Sequence, residues 1–413
     1  MTDNPHNFAE ADDFALADEF ALAAESTPLL PVILDAIARE GGRITFAEFM
    51  GLALGHPEHG YYSRKDLRWG KDGDYETSPE VHPIFGYLWA RQILECWERL
   101  GRPEEFALVE PGAGSGAFMA AILTWLRARA PECFEAARPT VLDGHPHRLD
   151  QQRATLAARG FAPPAYEVEH ALTEDWLARP GRVTGIVISN EFFDALPIHL
   201  MEREGDDPRE LYVTSEGGRL ALEAGETSTA AIAAYFDALG LRPGEGATAE
   251  VGLAARDAMQ RFAARVERGY ILTTDYGYEA RELYASWRTQ GTLMAFRGHS
   301  PQPDPLGQPG RTDLTYHVDF TTLATAAAQE GFESAPLTTQ AEALSVLGLA
   351  DALRAAGERA HEDVHRYAAE RRAAETLTDM SGLGRIAVLA MAKGAPLDGL
   401  RCLQPIESLM RRA

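Results

Sequence analysis

The chain has 413 residues, of which 45% are hydrophobic and 24% charged, a composition typical of a folded globular protein with one large core or two domains. Its 39 Lys and Arg residues against 62 Asp and Glu residues give a formal net charge of −23, which disfavours nucleic acid as a partner. The sequence has no apolar run of about 18 residues, so we expect no membrane insertion.

The first segment, residues 1–27, is predicted to be an acidic arm. It contains neither Lys nor Arg up to Ser26, whereas secretory and mitochondrial targeting segments need basic residues. We therefore expect a cytoplasmic protein. The three cysteines are widely spaced and the histidines lack a carboxylate or cysteine pattern around them, so neither a disulfide framework nor a metal site is expected.

The rest of the chain alternates between short apolar runs and helical periodicity. Such an alternation predicts an α/β protein with a doubly wound, Rossmann-like parallel sheet covered by helices. Turn residues 215–218 separate two apolar runs and predict a hairpin. The predicted helices are 31–55, 84–100, 117–130, 320–330 and 342–376, and the predicted strands are 106–109, 140–142, 165–168, 185–189, 211–213, 220–222, 270–274 and 386–391.

A glycine-rich turn follows the first of the core strands. Gly112, Gly114 and Gly116 allow the backbone to turn tightly and to approach a ligand without an intervening Cβ atom. The helix that follows presents free N–H groups. The next strand ends in Asp143, whose carboxylate can accept hydrogen bonds from both hydroxyls of a ribose. The pattern predicts a nucleotide-containing cofactor.

The charge of the residue before this turn distinguishes two classes of cofactor. The glycine spacing also fits a dinucleotide fingerprint, but Glu110 ends the strand immediately before the turn. A carboxylate there attracts a cationic sulfonium and an α-amino group and repels a pyrophosphate. We therefore predict S-adenosylmethionine as the cofactor, and an NAD-dependent oxidoreductase is disfavoured. The strand over 185–189 leads into Asn190 and Glu191, which places polar groups where an acceptor substrate should bind.

Several ordered blocks between Ala53 and Gly394 carry a resemblance to the MidA family, the methyltransferases that include the mitochondrial complex I assembly factor. The blocks are Leu54-Gly-His-Pro-Glu-His-Gly-Tyr-Tyr62, Gly73-Asp-Tyr-Glu-Thr-Ser-Pro-Glu80, the loop from Glu110 to Gly116, Asn190-Glu-Phe-Phe-Asp-Ala-Leu-Pro197, Thr274-Asp-Tyr-Gly277, Gly291-Thr-Leu293 and Thr315-Tyr-His-Val-Asp-Phe320.

The resemblance implies a class I methyltransferase core with an N-terminal helical and loop extension and inserted segments. It divides the chain into the arm 1–27, a cofactor-covering segment 28–100, core residues 101–200, an insertion 201–260 and core residues 261–413. It also implies symmetric dimethylation of an arginine on a subunit of respiratory complex I. Four positions depart from the family pattern, whose loop reads Glu-x-Gly-Pro-Gly-Arg-Gly-Thr. Ala113, Ser115 and Ala117 stand at the places of its Pro, Arg and Thr, and Ala121 stands where Asp is expected.

Methylation of arginine sets a chemical requirement on the acceptor side. The guanidinium has a pKa above about 12 and delocalised lone pairs, so it is a weak nucleophile. Paired carboxylates can hold it through charge-assisted hydrogen bonds. We predict Glu191 and Asp194 as this clamp, with Asn190 orienting it.

Further site residues are predicted from the other blocks. Asp74, Thr77 and Ser78 are candidate cofactor ligands in a segment that folds over the cofactor. Tyr276 and His317 are candidate substrate contacts, and His317 is placed to pair with Asp319.

Two alternatives remain open from the sequence. The same core can methylate a small molecule or another protein side chain, which a closed apolar site would favour. The other is a non-catalytic assembly factor that retains the fold, supported by the departures at Ala117 and Ala121.

Overall fold

The computed structural model describes residues 27–64, 67, 77–205, 207–298, 300–359, 361 and 363–406. The acidic arm predicted over 1–27 therefore lies outside the described residues except for Thr27. The helices described are α1 Leu30–Arg39, α2 Phe46–Gly55, α3 Ser78–Val81, α4 Ile84–Arg99, α5 Ala117–Arg129, α6 Pro131–Ala136, α7 Pro146–Ala158, α8 Thr173–Leu177, α9 Ala230–Leu239, α10 Leu253–Arg265, α11 Ala280–Leu283, α12 Phe320–Gln329, α13 Gln340–Val346, α14 Leu349–Glu358 and α15 Val364–Thr378.

The strands form four sheets. In chain order they are β1 Arg43–Thr45, β2 Phe106–Pro111, β3 Ala137–Asp143, β4 Glu169–Leu172, β5 Val183–Asn190, β6 His199–Glu204, β7 Asp207–Glu216, β8 Arg219–Gly225, β9 Thr248–Val251, β10 Val266–Asp275, β11 Gly277–Tyr278, β12 Met294–Arg297, β13 Ser300–Gln302, β14 Asp313–Thr315, β15 Val318–Asp319, β16 Glu333–Ser334, β17 Thr338–Thr339 and β18 Ala387–Lys393.

The largest sheet has eight strands in the order β16-β18-β10-β5-β2-β3-β4, with β17 also paired to β18. The pairs among β10, β5, β2, β3 and β4 are parallel, whereas β18 runs antiparallel to β10. The chain moves from β2 outward through β3 and β4 and returns at β5 on the other side of β2. This reversal is the switch point at which open α/β sheets bind ligands, beyond the carboxyl ends of the strands.

Alternate residues of the central strands pack on opposite faces of this sheet. Leu108 of β2 and Ile186 of β5 contribute to one hydrophobic core, which is covered by α4 and α5. Their neighbours Val109 and Val187 contribute to the other core, with Phe262 of α10. Both faces are covered, which explains why these strands are almost uninterrupted apolar runs. The predicted doubly wound α/β class is confirmed.

The predicted insertion contributes a second sheet. Strands β6, β7, β8 and β9 pair antiparallel, and β1 from the N-terminal segment adds to β7. The hairpin predicted around 215–218 is the β7–β8 connection. The three-stranded sheet β13-β12-β14 shares a hydrophobic core with this second sheet, through Ala295 and Leu314 on one side and Leu200 and Val213 on the other. The domain boundaries set from the sequence remain a prediction.

Two long predicted helices are divided. Residues 31–55 form α1 and α2 with β1 between them, because Gly41 and Gly42 take φ values of 79° and 112° that a helix does not allow. Residues 342–376 fall into α13, α14 and α15, and Gly348 with a φ of 101° marks the first break.

One predicted strand is displaced. The strand expected over 165–168 instead occupies β4, Glu169–Leu172. Tyr166 stacks on Phe134 with ring centroids 4.2 Å apart, so this apolar segment packs over the core before the chain joins the sheet. Among the described residues, no helix has the length and apolar character needed to cross a membrane.

Candidate active site

The glycine loop lies at the carboxyl end of β2. Gly112, Gly114 and Gly116 have positive φ values of 66°, 52° and 83°, in the region that side chains disfavour. A Cβ on Gly112 would lie 2.7 Å from the Phe192 ring. The Ala113 amide donates to the Leu142 carbonyl over 3.0 Å, which fixes the loop against β3. The sequence-predicted cradle is therefore present, with α5 beginning directly after Gly116.

Glu110 is buried beside this loop with only 4% of its surface exposed. Burial raises the pKa of Glu110 well above its usual range, and the charges of Asp143 and Glu80 add to the shift, while a hydrogen bond from the Met119 amide opposes it. Its Oε2 atom has no hydrogen-bond partner among the described residues. A buried carboxylate oxygen without a partner is destabilising unless a ligand binds it.

Asp143 ends β3 at the same edge of the sheet. One of its oxygens accepts from the His145 amide over 3.1 Å, and the other accepts from the Gln152 side chain over 3.3 Å. These two bonds orient the carboxylate at the cleft, next to the glycine loop. Asp143 thus lies at the edge of the sheet where the glycine loop lies, and its contact with a ribose remains a prediction.

The loop that follows β5, residues 190–197, is held in place by residues at the end of β10. Asp275, which ends β10, accepts from the amides of Phe192 and Phe193 over 3.1 and 2.8 Å. The Thr274 hydroxyl donates to Asn190 Oδ1 over 2.8 Å. Glu191, held between these contacts, has a φ of 48°. Such strain in a residue other than glycine persists where surrounding contacts enforce it, and it is common in active sites.

The two predicted clamp carboxylates both face the cleft. Glu191 Oε1 accepts from the Asn190 side chain over 2.9 Å and from the Ser78 amide over 3.3 Å. Asp194 Oδ2 accepts from the Thr315 hydroxyl over 2.9 Å. Burial, together with the charge of Asp194, raises the pKa of Glu191 to about 8, and burial also raises the pKa of Asp194. These two desolvated acids have no basic partner among the described side chains, so a bound cation would stabilise their ionised forms.

Tyr276 and His317 lie together on another wall of the cleft. Their rings stack at 6.4 Å between centroids with an angle of 11°, and burial lowers the pKa of His317 to about 4. Its buried Nδ1 atom has no partner among the described residues. The pair of His317 with Asp319 is not formed, because Asp319 caps α12 through the Thr321 and Thr322 amides. Substrate contact by Tyr276 and His317 remains a prediction.

The covering segment is partly described. Asp74 lies outside the described residues. Thr77 lines the cleft, whereas the Ser78 hydroxyl donates to the Gln340 side chain over 2.9 Å and points away from it. The Ser78 hydroxyl is therefore not placed to contact a cofactor directly. The cofactor roles of Thr77 and Ser78 remain predictions.

Two of the departures from the family pattern, Ser115 and Ala121, have different surroundings. Ser115 lines the cleft and its hydroxyl donates to Glu80. Ala121 is buried in the contact between α5 and α4, where its Cβ lies 2.5 Å from the position that a Cβ on Gly86 would occupy. Position 121 therefore belongs to a helix contact, and Ala there does not alter the lining of the cleft.

Four site residues were not assigned from the sequence. Asp275 could have been found by the same rule as Asp143, because it ends a parallel strand at the same edge. Thr315 and Asp313 lie on β14, and Asp313 accepts from the Tyr62 hydroxyl over 3.1 Å. Glu80 reaches the glycine loop from α3. Thr315, Asp313 and Glu80 reach the cleft through contacts between residues far apart in the sequence, which no local sequence pattern predicts.

These residues surround one cleft of about 1010 Å³. Its walls combine the glycine loop, two acids at strand ends and an apolar lining. Among the described residues that line it, the buried side-chain atoms without a hydrogen-bond partner are Glu110 Oε2, His145 Nε2 and His317 Nδ1. The residues fit S-adenosylmethionine, since Glu110 can accept from an α-ammonium, Asp143 can accept from ribose hydroxyls, and the glycines admit the backbone of the loop close to the ligand.

Comparison with known proteins agrees with this geometry. The profile of the family described as "Putative S-adenosyl-L-methionine-dependent methyltransferase" matches residues 88–338. A structure from Burkholderia thailandensis bound to S-adenosyl-homocysteine is 27% identical, has a TM-score of 0.81, and covers 96% of this chain and 98% of that one.

Two curated relatives are also similar. The protein arginine methyltransferase NDUFAF7 homolog of Drosophila melanogaster is 30% identical over 297 residues, 68% of this chain and 65% of that protein. The Danio rerio NDUFAF7 protein is 29% identical over 315 residues, 72% of this chain and 71% of that protein. The chain thus spans about two thirds of the length of these relatives.

The relatives correct one prediction and confirm others. Both are mitochondrial proteins, which contradicts the cytoplasmic location predicted from the acidic first segment. The family resemblance, the methyltransferase class and S-adenosylmethionine as cofactor are confirmed. The chain belongs to the family of S-adenosyl-L-methionine-dependent methyltransferases that this profile defines.

Proposed function

We propose that this methyltransferase acts on an arginine side chain of a partner protein. The observation that carries the proposal is the pair of cleft-lining carboxylates, the half-buried Glu191 and the buried Asp194, directly after β5 beside the glycine loop. A guanidinium offers five N–H donors in a plane and one delocalised positive charge. It matches two acids whose pKa values are both raised by burial, that of Glu191 also by the charge of Asp194. The curated relatives named as protein arginine methyltransferases support the same acceptor.

The cofactor and the two carboxylates have separate roles in methyl transfer. S-adenosylmethionine supplies, when bound, a methyl group on a cationic sulfur. Glu191 and Asp194 hold the guanidinium and concentrate its charge away from the attacking nitrogen. Transfer forms an N–C bond, breaks an S–C bond and releases one proton from the nitrogen. Glu191, ionised while the guanidinium is bound, accepts this proton, and its raised pKa of about 8 in the free protein suits a base near neutral pH.

The structure offers a reason to expect a protein acceptor. The cleft is large, with a volume of about 1010 Å³, and part of its wall carries exposed apolar surface such as Met294, which is 44% exposed. A closed apolar pocket, as expected for a small acceptor, does not match these features. As the specific partner we propose a subunit of respiratory complex I, the substrate that the family resemblance implies.

The test is the replacement Glu191→Gln. Gln has the same shape but accepts fewer charge-assisted bonds and cannot take the proton, so we expect at least about a hundredfold loss of methyl transfer. S-adenosylhomocysteine affinity should change by less than about twofold. Incorporation of labelled methyl groups into arginine, followed by mass spectrometry of the acceptor, measures the first quantity, and calorimetry measures the second.

The matched control is Glu216→Gln, the same chemical change on the exposed end of β7 in the second sheet. It should retain wild-type turnover. Full methyl transfer by the Glu191→Gln enzyme, or label found on a side chain other than arginine, would overturn the proposed acceptor chemistry.

A further inference from the structure

Glu80 is an acidic side chain at the cofactor end of the cleft. It lies on α3 in the covering segment and lines the cleft together with the glycine loop. Its Oε1 atom accepts a hydrogen bond from the hydroxyl of Ser115, which belongs to that loop. The covering segment and the cofactor cradle are therefore joined at this carboxylate.

Ser115 makes a second hydrogen bond, to the helix that follows its loop. The Ser115 hydroxyl has one proton and two lone pairs: it donates the proton to Glu80, and one lone pair accepts from the Ala117 amide over 3.2 Å. A hydroxyl is neutral. The bond thus orients the Glu80 carboxylate without cancelling its negative charge, as an Arg at position 115 would.

Glu80 adds to an acidic group at this end of the cleft. Glu110 lies buried at the end of β2, and Asp143 lies at the end of β3. The charges of Asp143 and Glu80 both act on Glu110 and help to raise its pKa. Glu110 Oε2 also lacks a partner among the described residues. A ligand with net positive charge relieves this mutual repulsion more than a ligand with none.

We infer that Glu80, oriented by Ser115, makes this end of the cleft select the sulfonium cofactor over its thioether product. S-adenosylmethionine and S-adenosylhomocysteine share the adenosine, the α-ammonium and the carboxylate, and differ by a methyl group and one positive charge. A residue that contacts only the shared groups changes both affinities equally. A residue that acts through charge changes their ratio, and it weakens product binding once the methyl group has left.

Calorimetric titration of the full chain with each ligand separates these cases. For Glu80→Gln, which keeps the shape and removes the charge, we expect about tenfold weaker binding of S-adenosylmethionine and less than about twofold change for S-adenosylhomocysteine. Ser115→Arg places a cation beside Glu80 and should shift the ratio in the same direction. Ser115→Ala keeps the carboxylate charge and should shift the ratio less than Glu80→Gln.

The control is Glu98→Gln, which removes one charge from the exposed face of α4 and should leave the ratio unchanged. Equal weakening of both ligands by Glu80→Gln, or no weakening of either, overturns the inference. If Glu80→Gln lowers the melting temperature and abolishes both affinities, Ser115→Arg decides the question. No acceptor protein is present in these titrations, so their outcome is independent of arginine methylation.

Discussion

At Glu191 the backbone takes a φ of 48°, a conformation that residues other than glycine adopt rarely. Asp275 enforces it, because its buried carboxylate accepts from the two amides that follow, Phe192 and Phe193. The strain directs the Glu191 side chain into the cleft beside Asp194. A single residue thus combines a constrained backbone, a desolvated carboxylate and a place at the switch point of the sheet.

The first prediction concerns the dependence of methyl transfer on pH. Glu191 must be ionised to bind a guanidinium, and its pKa is raised to about 8 in the free protein. At saturating cofactor, kcat/KM for the acceptor should therefore fall toward acid pH, with a midpoint at or below about 8. In kcat the midpoint should lie lower still, because the bound guanidinium favours the carboxylate and lowers its pKa. A profile that is flat or that rises toward acid pH would contradict the assignment.

The second prediction concerns Glu110. Burial raises the pKa of Glu110 well above the usual range, so before ligand binds this carboxyl keeps its proton to a higher pH than an exposed glutamate does. A bound cation favours the ionised form. Binding of S-adenosylmethionine should therefore release protons and become tighter as pH rises toward the raised pKa. Calorimetry in two buffers of different ionisation enthalpy measures the release; proton uptake, or none at all, would refute it.

At the scale of elements, the contact between α4 and α5 explains why Ala stands at position 121, where the family pattern has Asp. Gly86 and Ala121 allow the two helices to approach so closely that a Cβ on Gly86 would lie 2.5 Å from the Ala121 Cβ. The small residue at position 121 serves packing behind the cofactor loop.

The third prediction follows from that contact. Ala121→Asp, which installs the residue of the family pattern, should lower the free energy of unfolding by about 3 kcal/mol, because it buries a carboxylate against a helix. Urea denaturation measures the change. The control Ala128→Asp, on the exposed face of α5, should lower the same quantity by less than about 1 kcal/mol. Equal stability of Ala121→Asp and the wild type would show that the contact is not tight.

The sequence predicted those parts of the site that one element determines. The glycine loop, Glu110 and Asp143 each follow from a strand and the turn after it, and Glu191 follows from the same rule at β5. Thr315 could not be predicted, because it reaches Asp194 across 121 positions of sequence. The breaks at Gly41 and Gly348 within two predicted helices could not be predicted, because a glycine within an apolar periodicity does not by itself show that its φ is positive.

At the scale of the whole molecule, the second sheet supports the side of the cleft where we propose that the acceptor binds. Glu250, buried in β9, accepts from the amides of Thr292 and Leu293 over 2.7 and 2.8 Å. The Thr292 hydroxyl donates to Glu250 and accepts from the His317 amide over 2.9 Å. The Tyr316 hydroxyl donates to the Phe193 carbonyl over 2.9 Å. Glu250 of the second sheet therefore holds the segment at Thr292 and Leu293 and, through Thr292, the His317 backbone, whereas the glycine loop and Asp143 follow strands of the main sheet.

The last prediction tests this division. Glu250→Ala removes the acceptor of two buried amides and one hydroxyl, and the loop that holds His317 should then loosen. We expect KM for the acceptor protein to rise at least about fivefold, while the affinity for S-adenosylhomocysteine changes less than about twofold. Glu223→Ala, on the exposed strand β8 of the same sheet, is the control and should leave both quantities unchanged. Because a general loss of folding would reduce both affinities together, an equal fall in S-adenosylhomocysteine binding would show that the second sheet stabilises the whole protein and has no separate effect on the acceptor wall.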